Sequence, residues 1–320
     1  MAVLSRRDFG WALVGVPAVS VLGAIRPDMP LAIGVTTSSF SDLPRVPGRG
    51  NADAVMQAAR SVGATHIELA LHNVEPAPPS TAPIMGGSAA YPRRIVLSPE
   101  EIAATDTEAR GALRTWRLNG MPAVFDDTRR HAAGAGLTLD ACAVAFNESF
   151  TDDEIEATFR HVSALGVKTV CSPLTLATAR RLVPFAERHG VTVAIHNQVD
   201  GNKAGLVDGA QLSQALALSL SYRLRLDAGN LTASNRDAVA MVREHLPRTA
   251  CVILKDRLRN GGASQPLGEG DTPLVGVLTA AASARPAVPA LLEYDYGGLR
   301  SSVEEVRLSL AYLRGLFRLH

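Results

Sequence analysis

Residues 168–198 read KTVCSPLTLATARRLVPFAERHGVTVAIHNQ. A short β-rich run, Lys168 to Cys171, is followed by helical sequence from Thr175 to His189. A second β-rich run, Val191 to Ile195, then ends in His196-Asn197-Gln198. Strand, amphipathic helix, strand is the repeat of a parallel sheet covered by helices. The same unit extends both ways. Upstream lie strands at 31–37, 65–71 and 137–146, with helices at 52–62, from Ser98 to about Ala133 with a break at Met121-Pro122, and at 151–165. Downstream lie strands at 223–227, 250–254 and 288–293, with helices at 206–219, 234–245, after Thr272-Pro273, and at 301–317. Thr151-Asp-Asp-Glu154 and Ser301-Ser-Val-Glu304 are capping boxes that mark two of the helix starts. Eight strands alternating with helices predict the closed (β/α)8 barrel of the α/β class. A doubly wound sheet is the competitor, but its phosphate-binding G-x-G-x-x-G is missing after the first strand, where Val35-Thr-Thr-Ser-Ser39 stands.

The rest of the sequence fits that reading. The 320 residues suit one barrel, and 47% hydrophobic content with a net charge of +1 excludes global disorder. Lys and Arg balance Asp and Glu, 32 against 31, so nothing points to a nucleic-acid partner or an acidic membrane surface. Cys142, Cys171 and Cys251 sit in apolar runs at wide spacing, which reads as core and not as a disulfide framework. His131, His161, His189 and His245 fall on helices and read as surface residues. Ser5-Arg-Arg-Asp-Phe9, followed by an uncharged stretch from Gly10 to Ile25, forms a twin-arginine export pattern. We therefore divide the chain into a signal over residues 1–25 and a single barrel over residues 26–320. The expected location is periplasmic or extracellular, with membrane contact only through the signal.

A barrel builds its active site at the C-terminal ends of its strands. Those ends here carry Glu68 and His72, Asn147-Glu148, His196-Asn197-Gln198, Asp227 and Asn230, Lys255-Asp256-Arg257, and Glu293-Tyr-Asp-Tyr296. So many polar strand exits converge on one mouth. His196, Asp227 and Glu293 form a candidate three-ligand metal site, since an imidazole with two carboxylates suits Zn, Mn, Fe or Co. The alternative is that each is a polar strand end satisfied by the loops. Glu68 alternates with Ile67 and Leu69 and is expected to point into the lumen, where a carboxylate needs a partner.

The runs Ile195-His-Asn-Gln198, Leu226-Asp-Ala-Gly-Asn230, Leu254-Lys-Asp-Arg257, Pro266-Leu-Gly-Glu-Gly-Asp-Thr272 and Leu292-Glu-Tyr294 together resemble the sugar phosphate isomerase/epimerase family, the xylose isomerase-like barrels. Leu113-Arg-Thr-Trp-Arg117 and Thr151-Asp-Asp-Glu154 resemble an exported subgroup with twin-arginine signals. The resemblance implies a sugar substrate and a divalent metal, Mn, Zn, Co or Mg, that polarises a carbonyl. A base removes the neighbouring proton, giving isomerisation, epimerisation or, with a leaving group in place, elimination from a keto-glycoside. It makes Glu293 and Glu148 the base candidates and Lys255 an oxyanion stabiliser. Glu68, His72, Asn197, Gln198, Asn230, Asp256 and Arg257 are then expected to bind substrate. Three family imidazoles are replaced, by Gln198, Asn230 and Ile253, so the metal site is degenerate. The other reading is an exported barrel that binds a saccharide or a protein without metal and without catalysis.

Overall fold

The computed structural model describes residues 31–77, 83–87, 92–96, 107–120, 122–201, 205–206 and 209–318. The expected export signal and the Ser98-Pro-Glu-Glu101 helix start lie outside the described residues. Eight parallel strands close on themselves: β1 (Ile33–Thr36), β2 (His66–Ala70), β3 (Thr138–Ala143), β4 (Thr169–Pro173), β5 (Thr192–His196), β6 (Tyr222–Asp227), β7 (Thr249–Leu254) and β8 (Ala290–Leu292). Each pairs with its neighbours in chain order, and β8 pairs back onto β1. The eight-stranded (β/α)8 barrel read from the sequence is therefore the observed fold.

Around it run α1 (Ala52–Ser61), α2 (Thr107–Asn119), α3 (Pro122–Gly134), α4 (Asp152–Ala164), α5 (Leu176–His189), α6 (Gly209–Leu216), α7 (Ala228–Ala233), α8 (Ala238–His245), α9 (Leu274–Ser283) and α10 (Ser302–Arg318). The capping box that opens α4 forms as expected, with the Glu154 backbone N–H donating to Thr151 Oγ1 and the Thr151 N–H donating to Glu154 Oε2.

The two-residue period of the strands decides what faces where. Ile67, Leu69, Val193, Ile195, Leu224, Leu226, Val252 and Leu254 join the helices in one large apolar layer. The alternate positions fill the lumen in two small apolar groups, Ala141 with Cys171 and Ala194, and Cys251 with Ile253 and Leu291. Two residues further along each strand the lumen turns polar: His196 follows Ala194, Lys255 follows Ile253 and Glu293 follows Leu291. Thus a dry floor carries a charged layer toward the mouth.

After β2 the chain adds an antiparallel hairpin, Pro83–Gly87 with Pro92–Val96. Two expectations need correction. The helix expected over 234–245 starts only at Ala238; a separate short helix, α7, precedes it, which Asp227 caps by accepting from the Asn230 N–H and which ends as Asn235 takes a left-handed φ of 56°. His161 is not a surface residue. It is 3% exposed and stacks on Phe125 at 4.3 Å between ring centroids, and burial brings its pKa down to about 4. All three cysteines are buried, as expected.

A close strand approach makes one glycine of β1 obligatory. A Cβ at Gly34 would sit 2.6 Å from the His66 carbonyl oxygen and 2.7 Å from Leu291 Cδ2. Backbone cannot yield there, so Gly34→Ala is expected to destabilise the barrel by about 1–3 kcal/mol, read from urea unfolding monitored by circular dichroism. An unchanged midpoint would show that the β1–β2 spacing is slack.

Candidate active site

The charged layer is one continuous network. Arg225 of β6 points into the lumen and grips Glu68 of β2 with two bonds, Nε to Oε2 at 2.9 Å and Nη2 to Oε1 at 2.7 Å. The same Nη2 reaches Glu293 Oε2 at 2.9 Å. The other oxygen of Glu293 lies 3.1 Å from Lys255 Nζ. Lys255 Nζ is also 3.1 Å from Asp227 Oδ2 and 2.9 Å from Asp295 Oδ2. His196 completes the chain, with Nε2 3.2 Å from Asp227 Oδ2. Glu68, Asp227, Arg225 and Lys255 are buried, so each charge depends on its partners and not on water.

These contacts set the protonation states. Burial opposes the charged form of Glu293, but Lys255 and Arg225 outweigh it and bring the carboxyl down to about 2. Burial likewise opposes ionised Asp227, yet Lys255 and the hydrogen bond from His196 hold it well below the usual carboxylate range. Lys255 is pushed above its ordinary value because Asp227, Asp295 and Glu293 overcome its burial. His196 moves the opposite way. Burial and then the nearby Arg225 lower its pKa, and Asp227 and Glu293 offset this only in part. Its ring is therefore neutral at pH 7. Asp227 is a pure acceptor, so the neutral ring carries its proton on Nε2 and leaves Nδ1 with the basic lone pair. Among the described residues no hydrogen bond engages that Nδ1.

Several expected site residues are engaged by the scaffold. Asn197 is fully buried, and its Oδ1 accepts the Asp227 backbone N–H at 2.7 Å. Asn230 donates to the Asn197 carbonyl and accepts from Arg257 Nη1 at 3.0 Å. Arg257 also binds the Gly262 carbonyl. Asp256 folds the loop before α9, accepting from the N–H groups of Gly268, Gly270 and Thr272. Gln198 donates its backbone N–H to the Leu206 carbonyl. These groups hold Asp227 and the mouth loops in place. Glu148 lies on an exposed loop outside the network. His72 is half-buried beside Arg45, and burial with that guanidinium brings its pKa down to about 3.

No family model and no curated protein matches the sequence. Solved structures do match. A xylose isomerase domain protein from Planctomyces limnophilus superposes with a TM-score of 0.60 at 13% identity, over 89% of this chain and 97% of that one. The fold is that of the xylose isomerase-like barrels. D-psicose 3-epimerase from Clostridium cellulolyticum H10 gives a TM-score of 0.59 at 12% identity, covering 90% of this chain and 99% of its own. A probable 3-DHS dehydratase from Bacillus anthracis gives 0.57 at 10% identity, covering 88% and 99%. At these identities the likeness is one of fold.

His196, Asp227 and Glu293 share one network, but their donor atoms do not all lie within 4.8 Å of one another and do not fit a metal ion. Lys255 Nζ stands at the point where the carboxylates converge, Asp227 Oδ1 is taken by the Asn230 N–H, and Glu293 Oε2 is taken by Arg225. Position 253 adds only a buried isoleucine. A second group, Glu68 with Cys171 and Cys251, has its ligand atoms within 4.8 Å of one another. It fits no better, because both Glu68 oxygens are held by Arg225, and the Cys171 thiol is pushed up by its hydrogen bond with Cys251 and by burial.

Arg225 is the functional candidate that the sequence reading missed, and Asp295 was placed at a strand exit without a role. The signal for Arg225 was present: it lies two residues before Asp227 on one strand and so shares its face. Asp295 lies two residues after Glu293 but beyond the end of β8, where strand parity no longer applies.

Two predictions follow from the pairing. Arg225→Met leaves Glu68 buried without a counter-charge and is expected to cost about 3–5 kcal/mol, measured by equilibrium denaturation. A loss under 1 kcal/mol, roughly the scale of a surface pair, would show that Glu68 has another source of stabilisation. Glu293 titrates near 2 in the folded chain against 4.5 when unpaired. The unfolded state therefore binds the proton first as pH falls, and the stability held above 4.5 is lost on the way down to about 2. Glu293→Gln is expected to flatten that part of the acid limb, and an unaltered limb would exclude Glu293 as its source.

Proposed function

We propose that the chain is a sugar-active enzyme that moves a proton on the carbon next to a carbonyl. The observation that carries this reading is the His196 ring, held by Asp227 through Nε2 at 3.2 Å, with no hydrogen bond on its other nitrogen among the described residues. His196 and Lys255 meet on the same Asp227 oxygen, so a base and a positive charge are fixed at one place at the mouth. In this reading His196 Nδ1 takes the proton, and Asp227 steadies the imidazolium that forms. The Lys255 ammonium, whose three N–H donors face carboxylates, acts on the negative charge that develops on the carbonyl oxygen through its field and not through a hydrogen bond. Returning the proton to the other face gives epimerisation, and returning it to the neighbouring carbon gives isomerisation. Expulsion of a group beta to the carbonyl gives a lyase. Fold neighbours that include an epimerase and a probable dehydratase are consistent with each outcome.

Glu293 then acts as a positioning group for Lys255 and Arg225, since a carboxylate near pKa 2 is a poor base. Glu148 has no part in this scheme. The substrate is a small carbohydrate. On the twin-arginine pattern of residues 5–9 we place the chemistry in the periplasm or outside the cell, which suits glycosides better than sugar phosphates. The complete pairing of Glu293 favours a second reading, a barrel that holds a saccharide without turning it over.

Solvent exchange separates the two. Ketohexoses and 3-keto-glycosides incubated in D2O are expected to take up deuterium next to the carbonyl, seen by NMR, and His196→Gln is expected to reduce the rate at least ~100-fold. The ascending limb of kcat/KM is expected to lie below pH 6.5, because the His196 pKa is lowered from that value, and to vanish in the variant. If no sugar exchanges while one still raises the melting temperature, the barrel is a binder.

A further inference from the structure

A metal ion would have to occupy the point at which Asp227, Glu293 and Asp295 converge, and Lys255 Nζ is already there, at 3.1, 3.1 and 2.9 Å. We infer that Lys255 is a built-in cation that takes the place of a divalent metal ion in this barrel and keeps one out. The inference rests on the site proposed above and deepens it. Four observations support it.

The first is number. An ammonium has three N–H donors, and three carboxylate oxygens face it. The second is reach. The side chain comes up from the lumen face of the β7 exit, stem buried, two residues after Ile253, the position at which the resemblance places an imidazole. The third is the state of the remaining oxygens. Asp227 Oδ1 is fixed by the Asn230 N–H and Glu293 Oε2 by Arg225, so neither turns freely toward an incoming ion. The fourth is burial. Lys255 is 5% exposed and Arg225 4%, so an entering dication would have to displace a buried ammonium from its partners and could not share them through water. One acceptor in the cage is unfilled: Asp295 Oδ1 is buried with no hydrogen-bond partner among the described residues. A donor from a bound hydroxyl satisfies it without disturbing the lysine.

The consequence is that removing the lysine creates a metal site. Lys255→Ala leaves three carboxylates and the His196 ring around a vacated point, and that donor set suits Mn2+, Co2+ or Zn2+.

The test is a titration of the full chain with MnCl2 and CoCl2 by calorimetry, with the visible absorption of Co2+ as a second readout. Wild type is expected to take up no stoichiometric metal. Lys255→Ala is expected to bind one equivalent at least ~100-fold more tightly, and Asp227→Asn added to it is expected to abolish that gain. Wild type holding one equivalent that Asp227→Asn releases would overturn the inference. So would a folded Lys255→Ala that binds no metal. Should Lys255→Ala not fold, Lys255→Met with Asp295→Asn, which leaves one fewer unpaired carboxylate, takes its place in the titration. Deuterium exchange by wild type in excess chelator keeps the two ideas apart. Exchange that needs metal would sink this inference and leave the proposed activity standing. Metal gain by Lys255→Ala without exchange in any protein would do the reverse.

Discussion

A guanidinium in the middle of a closed barrel is tolerable only if its charge is answered on the spot. Arg225 is answered on two sides, by Glu68 below and Glu293 above. Its planar fork satisfies both oxygens of Glu68, a geometry that a lysine does not reproduce. The pairing draws β2, β6 and the exit of β8 together across the lumen, where no backbone hydrogen bond reaches. The charged candidates of the mouth are linked to that clamp in series. Glu293, turned by Arg225, presents its second oxygen to Lys255, and Lys255 in turn orders Asp227 and Asp295. The clamp also accounts for the direction in which His196 is shifted, because a buried cation nearby penalises a second one.

The fold was legible because it depends on patterns spread over many residues. Alternation along Val191–Ile195 or Ala250–Leu254, repeated eight times between amphipathic helices, survives a boundary error of one or two residues. Capping boxes at Thr151 and Ser301 added local marks of chain direction. The site was legible in location but less so in assignment. His196, Asp227, Lys255 and Glu293 were each found from their places at strand ends. What each side chain binds was not, since hydrogen-bond partners come from strands far apart in the chain. Glu68 and Arg225 are 157 residues apart and meet only because the sheet closes. For the same reason the sequence offered no means of telling Asn197 and Asp256, which hold backbone, from groups free to hold a ligand.

The loops show how a mouth can be built stiffly from polar residues. Asp256 gathers three backbone N–H groups, and Arg257 joins Asn230 to the Gly262 carbonyl, so the segment before α9 is tied to the segment after β6. Asp227 belongs to both worlds: one oxygen caps α7 and the other faces Lys255 and His196. A residue fixed by a helix cap keeps its rotamer while its partners exchange protons or ligands, which is what preorganisation requires.

Three acids around one lysine also bias how such a barrel can diverge. Loss of any single carboxylate leaves the ammonium with two partners, a change a lineage can carry while others accumulate. Loss of the ammonium strands three negative charges in one step, so that path is costly unless a metal ion fills the vacated place or an acid has gone beforehand. Drift at this mouth is therefore directional: the acids are the replaceable members, the lysine the heirloom, and the order in which substitutions arrive decides which descendants still fold.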